Sequence, residues 1–148
     1  MSDELEVLEE WAGALLAKLE PGERRKVLGQ VARDLQRNQQ RRIAAQKAPD
    51  GAAYAPRKRA RGGLRGKRGR IRSQMFVKLR TARWMRTEVD AAGVAVGFVG
   101  RVGRIARAHQ LGRGDGVGGK GTPRRRLLGL AALDLEAIRS SLIDDLLP

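Results

Sequence analysis

The stretch Arg83-Trp84-Met85-Arg86-Thr87-Glu88-Val89, followed by Gly93-Val94-Ala95-Val96-Gly97-Phe98-Val99, decides the fold class. The first segment alternates loosely. The second alternates more cleanly, with Val94, Val96 and Phe98 on one side, as a half-buried strand requires. Ala91-Ala92-Gly93 between them supplies a hairpin turn, so a small antiparallel sheet is expected near 83–99. Gly93, Gly97 and Gly100 weaken the second strand or mark close approach by other backbone.

Helical patterns lie on both sides of this hairpin. Upstream, Leu5, Leu8, Trp11, Ala12, Leu15, Leu16 and Leu19 recur at three- and four-residue steps, forming one apolar stripe with Ser2 placed to cap it. Pro21-Gly22 breaks the pattern, and Pro21 suits the first position of a second helix running to about Lys47. Its stripe is Val27, Leu28, Val31, Leu35 and, more weakly, Ile43. Arg37-Asn38-Gln39-Gln40-Arg41-Arg42 is polar all round, so this half is expected to face a partner or solvent. Ala48-Pro49-Asp50-Gly51 carries turn chemistry and stops the helix. Glycines among Arg and Lys over 51–70 read as an extended basic arm ordered only by what it touches. Met75, Phe76 and Leu79 then form a short helical patch.

Downstream, Arg101 to Leu111 reads as a short helix with Val102, Ile105, Ala106 and His109 on one face, ended by Gly112. The glycine-rich run 112–121 is expected to be a flexible loop. Pro123 to Leu130 leads into a last helix with Leu135, Ile138, Leu142 and Leu146 on its stripe. The fold class is therefore α+β: N-terminal helices, a small antiparallel sheet, a C-terminal helix and a long basic arm. One domain is expected over 1–148, with a helical region 3–47, an arm 48–72, an α+β core 73–148 and the loop 112–121.

Composition limits what such a domain can do. Of 148 residues, 31 are Lys or Arg and 16 Asp or Glu, a net charge of +15, while aromatics make up only 3%. The core must then be built from Leu, Val, Ile and Ala. The absence of cysteine removes disulfides, thiol catalysis and the usual structural zinc sites. No run approaches the ~18 apolar residues of a membrane span, and the acidic opening Met1-Ser2-Asp3-Glu4 is unlike a signal peptide, so a soluble cytoplasmic product is expected. Charge is polarised along the chain. Residues 1–20 hold six acids and one base, Arg57 to Arg86 hold 13 bases and no acid, and the C-terminal piece turns acidic again. Such a basic segment can lie along a polyanion or meet the acidic surface of a neighbouring subunit.

Catalytic signals are weak. Gly114-Asp115-Gly116-Val117-Gly118-Gly119-Lys120-Gly121 approaches a phosphate-binding loop, but Gly121 stands where the magnesium-binding hydroxyl belongs, and a helix precedes it instead of a strand. His109, the single histidine, has no cysteine or second histidine with which to share a metal, and it reads as a structural residue. Trp84 among Arg80, Arg83 and Arg86 suits a core or interface anchor better than a base-stacking platform. No enzyme, cofactor or metal site is expected.

The run Gln39-Gln40-x-Arg42-Ile43-x-x-Gln46-x-Ala48-Pro49-Asp50-Gly51-x-x-Tyr54-x-Pro56-Arg57-Lys58 resembles the phage virion morphogenesis family, the tail completion proteins of contractile-tailed and Mu-like phages. Lys67-x-Gly69-Arg70-Ile71, Met75-Phe76-x-Lys78-Leu79-Arg80, Ala108-His109-Gln110-x-Gly112 and Pro123-x-Arg125-x-Leu127-Leu128-Gly129-Leu130 continue the resemblance in order. It implies a non-enzymatic structural virion protein that completes the tail or the head–tail junction. Such a protein would form a homo-oligomeric ring, six-fold by expectation, at the head-proximal end of the tail around the DNA channel. Implied partners are copies of itself and neck or tail proteins such as a tail terminator, tail tube or connector, with no membrane. Its place would be the virion tail or neck, after assembly in the host bacterial cytoplasm.

Residues expected to carry hydrogen bonds and ion pairs across subunits are Gln39, Gln40, Arg42, Tyr54, Arg57, Lys58, His109 and Arg125. Arg65, Lys67, Arg68, Arg70 and Arg72 are candidates for contact with channel DNA or an acidic partner. The alternative from another class is a non-catalytic basic DNA-binding protein.

Overall fold

The computed structural model describes residues 2–56, 74–91, 93–112 and 123–146. In chain order these form α1 (Ser2–Leu16), α2 (Pro21–Ala44), β1 (Met85–Asp90), β2 (Gly93–Phe98), α3 (Val102–Leu111) and α4 (Ala132–Leu146). The two strands pair as one small sheet, and the class is α+β as the sequence predicts. Contacts gather into two compact units. One comprises Met1–Gln36, Thr87–Val96 and Leu130–Pro148, the other Arg37–Arg86 and Gly97–Gly129.

The first unit is helical apart from the hairpin tip. Asp3 and Glu4 occupy the first turn of α1, where exposed N–H groups favour negative charge. At the other end, Arg24 from the first turn of α2 donates through Nε to the Leu16 carbonyl at 3.0 Å. A cation thus caps the carbonyl end of α1 and fixes the corner that Pro21 opens. Val27 and Val31 of α2 and Leu142 of α4 are buried together, with Trp11, Ala12, Leu16, Leu19, Leu35 and Ile138 packed around them. This is the aliphatic core that the scarcity of aromatics demands. Asp134, at the third position of α4, accepts from the Ala131 N–H at 2.8 Å, while its own N–H donates to the Ala131 carbonyl. It closes one half of a capping box and places a buried carboxylate at the helix N-terminus. At the hairpin turn the Gly93 N–H donates to Asp90 Oδ1 at 2.9 Å.

In the second unit the end of α2 differs from expectation. The helix stops at Ala44, not near Lys47, because Gln46 adopts a left-handed φ of 58°. The Gln46 N–H donates to Ile43 and the Lys47 N–H to Arg42, the paired bonds of a Schellman ending with glutamine where glycine is usual. The expectation that Arg37–Arg42 faces a partner or solvent is also corrected in part. Arg37 and Arg41 are exposed, but Gln39 is 3% exposed and Ile43 fully buried. Residues 48–56 do not form a free arm. Lys47 bridges Ala53, Asp50 Oδ1 accepts from the Ala52 N–H, and Pro49 and Tyr54 are buried. The remainder of that arm, from residue 57 to 72, lies outside the described residues, as does the glycine run beyond Gly112.

Met75, Phe76 and Leu79 form a turn, not a helical patch, since Phe76 takes φ 66° and interrupts helical geometry. Strand β1 begins at Met85, two residues later than expected, because the Trp84 and Met85 N–H groups both donate to the Thr81 carbonyl in a tight turn. Met85 is fully buried and starts a clean in–out alternation. The Arg83 guanidinium lies 4.8 Å from the Trp84 ring centre, and Gly100 passes beside the same ring. In α3, Ala106 is buried, but Ile105, expected on the same face, is 49% exposed. Gly112 ends α3 in a left-handed conformation, φ 67°, with its N–H on the Ala108 carbonyl.

Candidate functional site

The motif residues converge in the second unit through one repeated device: a glutamine side-chain amide standing in for a peptide. Gln39, on α2, donates from Nε2 to the Gly129 carbonyl at 3.0 Å and accepts at Oε1 from the Gly129 N–H at 3.3 Å. Gln46, just past α2, does the same with Met75: its Nε2 donates to the Met75 carbonyl at 2.9 Å, and its Oε1 accepts from the Met75 N–H at 2.8 Å. Gln110, near the end of α3, accepts from the Leu127 and Leu128 N–H groups at 2.7 and 3.0 Å and donates to the Leu128 carbonyl at 2.8 Å. A primary amide carries donor and acceptor side by side, so it can satisfy the main chain of a segment that has no strand partner. Helical phase delivers Gln39 and Gln110, and the left-handed turn after α2 delivers Gln46, each to a segment without a strand partner.

Arg125 is the second element. Only 5% exposed, it donates from Nε to the Ala55 carbonyl at 2.7 Å and from its terminal nitrogens to the Pro56 carbonyl at 2.9 Å and to His109 Nδ1 at 3.2 Å. Its N–H also donates to the His109 carbonyl at 2.8 Å. Because arginine only donates, His109 Nδ1 must carry a lone pair there, which places the imidazole proton on Nε2. The histidine ring meets Phe76 edge-on at 4.8 Å, and Phe76 meets Tyr54 edge-on at 5.7 Å. The left-handed backbone of Phe76, costly for a bulky residue, holds its ring between these two. Arg42 donates to Gln39 Oε1 and, at 2.9 Å, to the Gly129 carbonyl, reinforcing the first glutamine pair.

Of the residues expected at a subunit interface, Gln39, Arg42, Tyr54, His109 and Arg125 are thus brought together inside one unit, bonded within their own chain. Gln40 is half-buried on α2. Arg57, Lys58, Arg65, Lys67, Arg68, Arg70 and Arg72 lie outside the described residues. Gln46, Gln110, Phe76 and Gly129 are central yet absent from the expected set. Their signal was the presence of glutamines at the ends of helices otherwise phased by aliphatic residues.

Tyr54 is 8% exposed, and its hydroxyl has no hydrogen-bond partner among the described residues. Burial pushes its pKa from 10.0 up to about 12, with nearby Arg42 pulling the other way. The folded state therefore holds this proton more tightly than the unfolded chain, and stability falls as pH rises between these two values. Urea unfolding at pH 9 and pH 11.5 should show a loss of roughly 2 kcal/mol in the wild type that Tyr54→Phe lacks. An unchanged loss in the variant would remove Tyr54 as its source.

This arrangement orders backbone. Among the described residues, no group of His, Asp and Glu gathers as a metal-ligand set, and no helix is long and apolar enough to cross a membrane. Comparison with solved structures finds no match. The chain is 34% identical over 146 residues to tail completion protein S of Escherichia phage P2, covering 95% of this chain and 96% of that protein. The glutamine and arginine bonds involve the very motifs that first suggested a relationship, and the family model matches residues 3–147. By that match, spanning nearly its whole length, this chain belongs to the phage virion morphogenesis family.

Proposed function

We propose that this protein completes the phage tail as a non-catalytic component of the virion. The similarity to a tail completion protein over nearly the full length of both chains is the observation that carries this reading. The site chemistry agrees with it. His109 and Arg125 fasten the 54–56 segment, α3 and the 123–129 segment to one another. A protein that must offer neighbours a fixed shape gains from such pre-organisation, since less conformational entropy remains to be lost on binding.

In the finer reading, copies assemble into a homo-oligomeric ring at the head-proximal end of the tail, around the DNA channel and against other neck and tail proteins. A chain with acidic ends and a basic middle has complementary surfaces for head-to-tail contact. Gln40, Arg57 and Lys58 are assigned to the contact between subunits, with Gln39, Arg42, Tyr54, His109 and Arg125 ordering their own unit. Arg65, Lys67, Arg68, Arg70 and Arg72 are assigned to channel DNA or an acidic partner, where attraction without base contacts lets DNA slide.

Deleting the gene from the phage and imaging the lysate tests the role. Full heads beside normal-length, unjoined tails are expected, with joining restored by a plasmid copy. Intact, infectious particles from the deletion would overturn it. The net charge of +15 favours one alternative, a DNA-coating protein. A monomer in light scattering that binds duplex DNA with a steep salt dependence would support that alternative instead.

A further inference from the structure

Two exposed helix faces carry matched patterns of opposite charge. On α1, Asp3, Val7 and Glu10 follow one ridge at i, i+4, i+7 spacing, with Glu6 beside it, and all four are exposed. Val7 is 61% exposed, an aliphatic side chain in open solvent within a helix that has five acids and no base. At the start of α3 and along it, Arg101, Arg104 and Arg107 are exposed; Ile105, 49% exposed, stands between the last two, and Leu111, 45% exposed, lies one turn beyond Arg107. No acid occurs between Asp90 and Asp115, so nothing in that sequence neighbourhood neutralises this face.

We propose that the exposed face of α3 docks on the exposed face of α1 of a second copy of this chain. The inference rests on the homo-oligomeric reading above and names the surfaces that build it. Ile105 and Leu111 cover Val7, and the three arginines meet Asp3, Glu6 and Glu10 around that apolar centre. An aliphatic contact ringed by charge pairs is the usual anatomy of a protein–protein patch. The half-exposed aliphatic side chains set α3 apart from a surface built for a polyanion, which would take the arginines and leave Ile105 and Leu111 in water. Because the two faces differ, copies can either pair reciprocally as a two-fold dimer or each offer one face to each of two neighbours, in which case the contacts close as a ring or continue as a filament.

The test uses two full-length charge-reversed variants, Glu6→Lys/Glu10→Lys and Arg104→Glu/Arg107→Glu. All four positions are exposed, so both are expected to fold, as thermal melts would verify. In size-exclusion chromatography with light scattering, wild type should be oligomeric and each variant alone monomeric, with self-association weakened about a hundredfold or more. A 1:1 mixture should reassemble, because each variant's reversed face meets the other's reversed face and the two unaltered faces also pair. Ile105→Ser should weaken assembly without changing its salt dependence. If wild type is oligomeric and Arg104→Glu/Arg107→Glu leaves it so, or the mixture fails to assemble, this docking is wrong while the oligomeric reading stands. A variant that loses only duplex-DNA binding also overturns it, in favour of α3 as a DNA surface. A wild-type monomer at all concentrations would sink the oligomeric reading itself.

Discussion

Arg125→Met is expected to destabilise the protein by about 3–5 kcal/mol, more than any surface change. The side chain is buried and saturates the Ala55 and Pro56 carbonyls and His109 Nδ1. Methionine fills similar volume but donates nothing, so three acceptors in part-buried bonds lose their partner, each at roughly 1–2 kcal/mol, and the burial of the guanidinium's own site goes uncompensated. Lysine keeps the charge yet cannot reach three acceptors from a planar fork, so Arg125→Lys should recover less than half of the loss. Chemical denaturation reads both variants. In phage, Arg125→Met should give the unjoined tails of the deletion at elevated temperature, because Ala55 and Pro56, which Arg125 fastens, directly precede Arg57 and Lys58, the residues proposed for the contact between subunits. A loss below about 1 kcal/mol would show that water or a neighbouring donor replaces the guanidinium without cost.

The second large effect is expected at Gly129. A Cβ there would stand 2.6 Å from Pro49 Cγ and 3.2 Å from Pro49 Cβ. Pro49 is buried and its ring is stiff, so it cannot swing aside as the end of a long side chain would. Gly129 is also held on its other side by the Gln39 amide and by Arg42. Gly129→Ala must therefore either distort that pairing or push Pro49 outward, costing about 2–4 kcal/mol. Pro49→Ala removes the offending ring carbon. The double variant should then lose about 1–2 kcal/mol less than the sum of the single losses, a coupling that a thermodynamic cycle measures. Strict additivity would mean the clash is relieved elsewhere.

Much of the architecture was legible because it follows from periodicity. The α1 stripe, the first half of α2, the Asp90–Gly93 hairpin turn and the Gly112 ending all rest on local rules that the tertiary structure respects. Departures occur where a distant partner overrides local preference. Arg37–Arg42 reads as a solvated face, yet Gln39 is buried because Gly129, ninety positions away, supplies both halves of its pairing. Helix α2 stops at Ala44 because Gln46 must turn its amide towards Met75, and a left-handed backbone is what aims it there. The Met75–Leu79 patch fails as a helix for a similar reason, since Phe76 is posed by Tyr54 and His109. In the candidate site, Tyr54, His109 and Arg125 were identifiable by motif, but their grouping depends on long-range bonds that spacing alone does not encode.

Gripping by amide has an uneven genetic consequence. Gln39, Gln46 and Gln110 hold the main-chain groups of Gly129, Met75 and Leu128, not their side chains. The grip depends on the amide at the holding positions, while two of the gripped segments keep their pairing with whatever side chain their surroundings admit. A change at Gln39, Gln46 or Gln110 therefore releases a loop outright, whereas a change at Met75 or Leu128 alters a side chain and leaves the amide pairing in place.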